Sequence, residues 1–175
     1  DVPVIFLDFY DKELAKDAVI ADNFYGMYLM TGYLFEQGFT KMAYVGSIHV
    51  TSSIMDRYCG FYKAQLEHGR ILPEEWLIGD RDEKGYMDIK LPEHMPEAFV
   101  CNCDLAAGLL IVELEKQGYR VPEDVFVVGF DNYLYPGFPD KKITSYEVNT
   151  RAMVKVALEK ALKQIKNPLS GRGLS

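Results

Sequence analysis

Short apolar runs alternate along this chain with longer stretches in which apolar residues return every three or four positions. The runs are Val2 to Phe9, Met42-Ala43-Tyr44-Val45, Trp76-Leu77-Ile78, Ala98-Phe99-Val100-Cys101 and Val125-Phe126-Val127-Val128-Gly129-Phe130. The last is the longest without a polar interruption, and such a run predicts a strand buried on both faces, as inside a parallel sheet. Val19-Ile20-Ala21 and Ile143 to Val148 are predicted to be extended as well. Between these runs the period changes. Met27, Met30 and Leu34, with Tyr33 beside them, predict a core-facing helix that starts at an Asp22 N-cap and stops at Gly38. Ile54, Tyr58 and Phe61 predict a second, opened by Thr51-Ser52-Ser53 and closed at Gly69. Asp104 is expected to cap a third helix that ends at Gly118, with Ala106, Ala107 and Gly108 small enough to pack closely on a sheet. Thr150 is expected to cap a last helix, to about Ile165. The charged stretch from Arg81 to Glu93 reads as a short helix, Tyr133 to Lys142 as an irregular loop, and Asn167 to Ser175 as a frayed tail.

Strands that alternate with helices specify an α/β fold, a parallel sheet flanked by helices on both faces. The outer pieces, 1–10 and 149–175, are separated from the 11–148 core by extended crossings at 11–21 and 143–148. They are expected to be remnants of a second lobe that the chain does not fully contain. A start on a strand likewise suggests a piece of a longer protein.

Composition narrows the function. With 175 residues, 49% of them hydrophobic, the chain can build a sizeable core. A net charge of −7 is the wrong sign for a nucleic-acid footprint. No apolar run approaches the ~20 residues of a membrane span, so no membrane association is expected. Three cysteines, an odd number, do not make a disulfide framework, and with no export signal they point to the cytoplasm.

Parallel strands put their carboxyl ends on one edge, where open α/β sheets bind ligands. The polar groups there are Ser47, Asp80, Asn102, and Asp131 with Asn132; Arg57 lies in the first turns of the helix after Ser47. Carboxylates and amides with one guanidinium suit a small polyhydroxylated ligand, and Phe9, Tyr133 and Tyr135 could stack on a sugar face. Plainer roles compete: caps for Asp22 and Asp104, a turn for Asn102, a surface ion pair for Arg57, loop cover for the tyrosines. Asp131 caps no obvious helix, so ligand contact and a structural role stand level there. Catalytic signals are thin. The Cys101-x-Cys103 pair lacks the second pair a zinc site needs. The spacing of Cys103, His49 and Asp131 does not demand a triad. Neither a dinucleotide nor a Walker-type glycine motif is present, and no cofactor is expected.

An ordered set of motifs resembles one family. Val2-Pro3-Val4-Ile5-Phe6-Leu7-Asp8, Asp22-Asn23-Phe24-Tyr25-Gly26, Gln37 to Gly46, Ser53 with Arg57-Tyr58-Cys59-Gly60-Phe61, Val121 to Asn132 and Ile143-Thr144-Ser145 follow, in order, the LacI/GalR family of bacterial transcription regulators. Val121-Pro122-Glu123-Asp124-Val125-Phe126-Val127-Val128-Gly129-Phe130-Asp131 is the most specific. The resemblance implies the C-terminal lobe of a periplasmic-binding-protein-like type I effector domain, with the last strand and helix of the N-terminal lobe and without the helix-turn-helix. It implies a sugar-type effector, a homodimer, operator DNA bound only through the absent domain, and no enzyme activity. A transport-type sugar-binding protein of the same fold is the alternative. Arg57 and Asp131 match the family's effector-binding arginine and aspartate. Cys103 falls where the family places a contacting asparagine, with Asn102 adjacent. Arg81 replaces an aromatic that stacks on ligand in many members. That extra cation would favour an anionic effector, a sugar phosphate or sugar acid.

Overall fold

The computed structural model describes residues 2–11, 13, 17–133, 135 and 143–166. The core is a five-stranded, all-parallel sheet of β3 (Met42–Val45), β4 (Leu77–Ile78), β5 (Ala98–Cys101), β6 (Phe126–Asp131) and β7 (Thr144–Glu147), in the order β4-β3-β5-β6-β7. Alternate residues point to opposite faces of a strand, and both faces here are covered. Met42, Tyr44, Val100, Val128 and Phe130 meet helices α1 (Asn23–Glu36) and α2 (Ser52–Glu67) through Met27, Leu34 and Phe61. Ala43, Val45, Phe99 and Val127 meet α3 (Asp104–Lys116) through Ala107, Leu110 and Leu114. This double burial is why β3 and β5 contain no polar residue. The fold class read from the sequence is therefore the observed one.

Helix termini follow local chemistry at three of four starts. The Asp22 carboxylate accepts from the Tyr25 amide at 2.9 Å, and the Thr51 hydroxyl from the Ile54 amide at 3.2 Å. Asp104 is not a cap: Cys103 holds that position without a side-chain hydrogen bond, and Asp104 turns elsewhere. The last helix, α4 (Thr150–Lys166), is capped by Asn149, whose side chain accepts from the Ala152 amide at 3.0 Å. Tyr33 is exposed rather than core-facing. The stretch from Arg81 to Glu93 is not helical. Asp82 accepts from the amides of Lys84 and Tyr86, which turns the chain back so that Arg81 and Met87 bridge antiparallel. Competition from such side-chain hydrogen bonds is what keeps aspartate out of helix interiors.

A second, smaller sheet stands apart. β1 (Ile5–Leu7) pairs in parallel with β2 (Asp17–Val19), and α4 packs against both. Lys160 and Gln164 of α4 fix Asp17 at 2.8 and 2.5 Å. β1 is shorter than the predicted strand from Val2 to Phe9. β7, read from sequence as an extended crossing, completes the main sheet as an edge strand. The loop predicted from Tyr133 is described only at Tyr133 and Tyr135 within 133–142, and the predicted tail at 167–175 lies outside the described residues.

Candidate functional site

Arg57 is the hub. It sits one turn inside α2 and is only 4% exposed, so every donor needs a partner. Nε donates to Asn23 Oδ1 at 2.7 Å, and one terminal nitrogen donates to the Asn102 carbonyl at 2.7 Å. The other lies 3.1 Å from Asp131 and 3.8 Å from Asp8. The guanidinium also rests 4.1 Å above the Phe130 ring, the cation–π arrangement arginine favours. One side chain thus ties α1, β5, β6 and the segment after β1 together.

Behind Arg57 a second set of buried contacts crosses the strand ends. The Asn102 amide donates to Asp80 at 3.1 Å, and Asp80, fully buried, accepts from the Ser47 amide at 3.0 Å. The Asp80 amide returns a bond to the Ser47 hydroxyl at 3.2 Å. Ser47, Asp80, Asn102 and Arg57 therefore form one continuous network spanning β3, β4, β5 and α2.

Asp131 and Asp8 are held in unusual backbone. Their φ values are 101° and 68°, in a region L residues other than Asn, Asp and His seldom occupy. Such strain of ~1–3 kcal/mol persists only where surroundings enforce it. At Asp131 the enforcer is Asp104, whose carboxylate accepts from the Tyr133 amide and the Ser145 hydroxyl, both at 2.7 Å. The Ser145 hydroxyl in turn accepts from the Asn132 amide at 3.0 Å. Gly129 makes this possible, because a Cβ there would collide with the Asp104 carboxylate. At Asp8 the carbonyl accepts from the Ser53 hydroxyl and the amide donates to Val19 at 2.8 Å.

Burial raises the Asp131 carboxyl to about 6; Arg57 opposes the rise, while Asp8 and Asp104 add to it. Asp8 and Asp104 are also raised, in each case chiefly by burial. Burial pushes the Cys103 thiol up too, away from the thiolate a nucleophile would need.

A cavity of about 380 Å³ opens beside this cluster, lined by Asp8, Asp131, Tyr133, Tyr135, Glu147 and Met153, among others. Of the residues singled out from sequence, Asp131, Asn132 and the two tyrosines border it. Arg57 lies behind Asp131; Asn102 and Ser47 belong to the buried network. Cys103 caps α3, and Phe9 stacks on Phe6 at 4.6 Å. Arg81 lines a separate cavity of about 520 Å³, where its Nε stands 3.7 Å from Asp80. Sequence reasoning passed over Asn23, Asp8 and Glu147 as site residues. Asn23 had a signal, a polar residue in the first turn of an amphipathic helix on the face that also carries Met27. Among the described residues, no cluster of His, Cys, Asp and Glu is arranged to hold a metal ion, and no helix is long and apolar enough to cross a membrane.

Residues 31–172 match the family model described as periplasmic binding protein-like domain. The HTH-type transcriptional repressor PurR of Glaesserella parasuis is 26% identical over 170 residues, which are 94% of this chain and 50% of the repressor. The crystal structure of a LacI transcriptional regulator from Bacillus cereus subsp. cytotoxis superposes with a TM-score of 0.79 at 23% identity, covering 96% of this chain and 62% of that one. A LacI family regulator from Lactobacillus casei, solved with bound glucose, gives 0.75 at 22% identity, covering 98% and 65%. The chain spans about half the length of the curated relatives it matches. It belongs to the periplasmic binding protein-like domain family, in the form found in LacI/GalR-type regulators.

Proposed function

We propose that this chain is the effector-sensing and dimerising part of a LacI-type repressor, with a small polyhydroxylated molecule bound in the cavity at the strand ends. The observation that carries this reading is the Arg57 hub. A buried guanidinium pairs with Asp131 and Asp8, both in strained backbone, beside a cavity of suitable size. In this reading Asp131 accepts from ligand hydroxyls, and Tyr133 and Tyr135 stack on its apolar face. Arg57, Asn102 and Ser47 set the geometry, while Cys103 and Phe9 lie at the margin and Arg81 lines the separate cavity. The 11–148 lobe carries the site, and 1–10 with 149–175 are the part of the other lobe that closes over it. Ligand would bind the closed arrangement better and so shift its population, altering the spacing of DNA-binding heads upstream. The relatives are named as repressors, which favours this over a transport protein and over an enzyme, and suits a cytoplasmic protein. The glucose in the Lactobacillus casei neighbour supports the ligand class.

Thermal unfolding against a panel of sugars and sugar derivatives tests the proposal. A true ligand stabilises by RT ln(1+[L]/Kd), about 2.7 kcal/mol at a hundredfold excess over Kd. Arg57→Ala and Asp131→Ala should each abolish the shift. A shift that survives both would sink the assignment of this cavity.

A further inference from the structure

We infer that the outward face of α1 is a contact between two copies of this chain; this rests on the reading of the chain as a dimerising unit and gives that reading a surface. From Asn23 to Phe35 the helix carries no charged side chain. Its inward side, through Met27, Met30 and Leu34, is buried on the sheet. Its outward side is apolar as well. Tyr25, Leu29 and Tyr33 are 50%, 43% and 40% exposed, and Leu66, on the outward side of neighbouring α2, is 52% exposed. The other helices turn charge outward, with Lys63 and Glu67 on α2, Glu113 and Lys116 on α3, and Lys155 and Glu159 on α4. A helix that is apolar all round is one covered on both sides in the working protein.

Area, charge and shape select a second copy as the cover. Four large side chains exposed to this extent leave roughly 350 Å² of apolar surface. A standard interface takes ~800 Å² per partner, a little over half of it apolar. Tyr28 carries the patch across the helix pair toward that area: its hydroxyl donates to Glu67 at 2.8 Å, and the Lys63 nitrogen lies 5.1 Å from its ring centre. The chain has a net charge of −7, so two copies repel over most of their surface, and a stripe without carboxylates is where they can approach. Tyr25, Leu29, Gly32 and Glu36 follow one another at three- and four-residue steps and so share that stripe. Gly32 is a gap in it, since a Cβ there would meet nothing within 4 Å. Two α1 helices crossing antiparallel, about a two-fold axis between Leu29 and Gly32, would each set Leu29 into the partner's Gly32 gap. The same axis brings the Tyr25 hydroxyl opposite the partner's Glu36 carboxylate, and each contact occurs twice, as a two-fold interface requires.

The experiment is sedimentation velocity of this chain over a range of concentrations at neutral pH, with Leu29→Glu and Gly32→Gln beside it. Leu29→Glu places a carboxylate in the stripe and should weaken self-association tenfold or more. Gly32→Gln fills the gap and should weaken it to a similar extent. Because it also replaces a helical glycine, it should raise the unfolding midpoint of the dilute chain. A role in folding alone would not separate those two readouts, so Gly32→Gln decides the matter should Leu29→Glu fail to fold. Dimers that persist unchanged in Gly32→Gln would overturn the inference and leave dimerisation to another face, such as the exposed side of α4. A chain that is monomeric at every concentration would overturn the dimerising reading and the inference with it, while the effector reading stands on its own ligand test.

Discussion

At the residue scale, the site depends on one buried charge and the groups that surround it. Removing Arg57 would strand the Asn23 oxygen, the Asn102 carbonyl and two carboxylates. Breaking a buried pair by deleting one partner costs several kcal/mol. Because Asp8 is half-exposed, we expect Arg57→Ala to cost about 3 kcal/mol, at the lower end of that range, measurable by urea denaturation. Arg57→Lys should recover little, since an ammonium cannot make the fork. Asp131 predicts a pH dependence. Its folded-state affinity for a proton, at about 6, exceeds that of an ordinary carboxylate. The folded protein therefore holds the proton more tightly than the unfolded chain. That contribution is complete below the unfolded value and is lost as pH rises through about 6. Between about pH 4 and 7 stability should fall on the order of 2–3 kcal/mol on this account. Asp131→Asn should flatten that slope; an unchanged slope would show that the proton is held elsewhere. Arg57 and Asp131 were legible in sequence because each follows a recognisable element. Their pairing with Asp8 and Asn23 was not, since those residues lie 34 or more positions from Arg57 and meet it only through helix packing.

The elements meet so closely at one place that a single methyl group should matter. Gly60 on α2 faces the first turn of α1, and a Cβ there would press into the Phe24 carbonyl and approach the Tyr28 amide. An alanine would gain up to ~1 kcal/mol of helix propensity, yet it must push two helices apart. Overpacking of this kind typically costs ~1–3 kcal/mol, and backbone cannot swing aside as a side chain can. Gly60→Ala should therefore lower stability by about 2 kcal/mol net, and with it displace Asn23 from Arg57. A midpoint unchanged in chemical denaturation would refute the close approach. Elements defined by periodicity came out as read, because a strand buried on both faces or a helix with one apolar stripe depends on local pattern alone. Where the reading failed, a distant partner decided. Asp104 left the cap because Ser145 and Tyr133 take its carboxylate, and Arg81 to Glu93 turned because Asp82 holds two amides.

Across the whole molecule, two further apolar surfaces are exposed among the described residues. Leu158, Leu162 and Ile165 lie on one side of α4 and are 59%, 55% and 61% exposed, and Val2 and Val4 are exposed ahead of β1. A surface of this kind marks a contact, and a second copy of the chain, as in the dimer proposed above, fits it. Leu158→Glu with Leu162→Glu should reduce concentration-dependent association in sedimentation velocity. The unfolding midpoint should stay within about 0.5 kcal/mol, as for other surface substitutions; a large loss would mean that the face is packed in this chain. By itself, the sequence determined the class of fold, four of the five strands of the main sheet, the family, and the edge of the sheet that carries the polar groups. Those properties follow from period, sterics and strand direction, which neighbouring residues already specify. Only the tertiary structure decided that Arg57 serves as a buried hub, that Asp131 rather than Asn102 reaches the cavity, and that Arg81 belongs to a different one. Each of those outcomes depends on which side chains from distant segments fill the space around a charge.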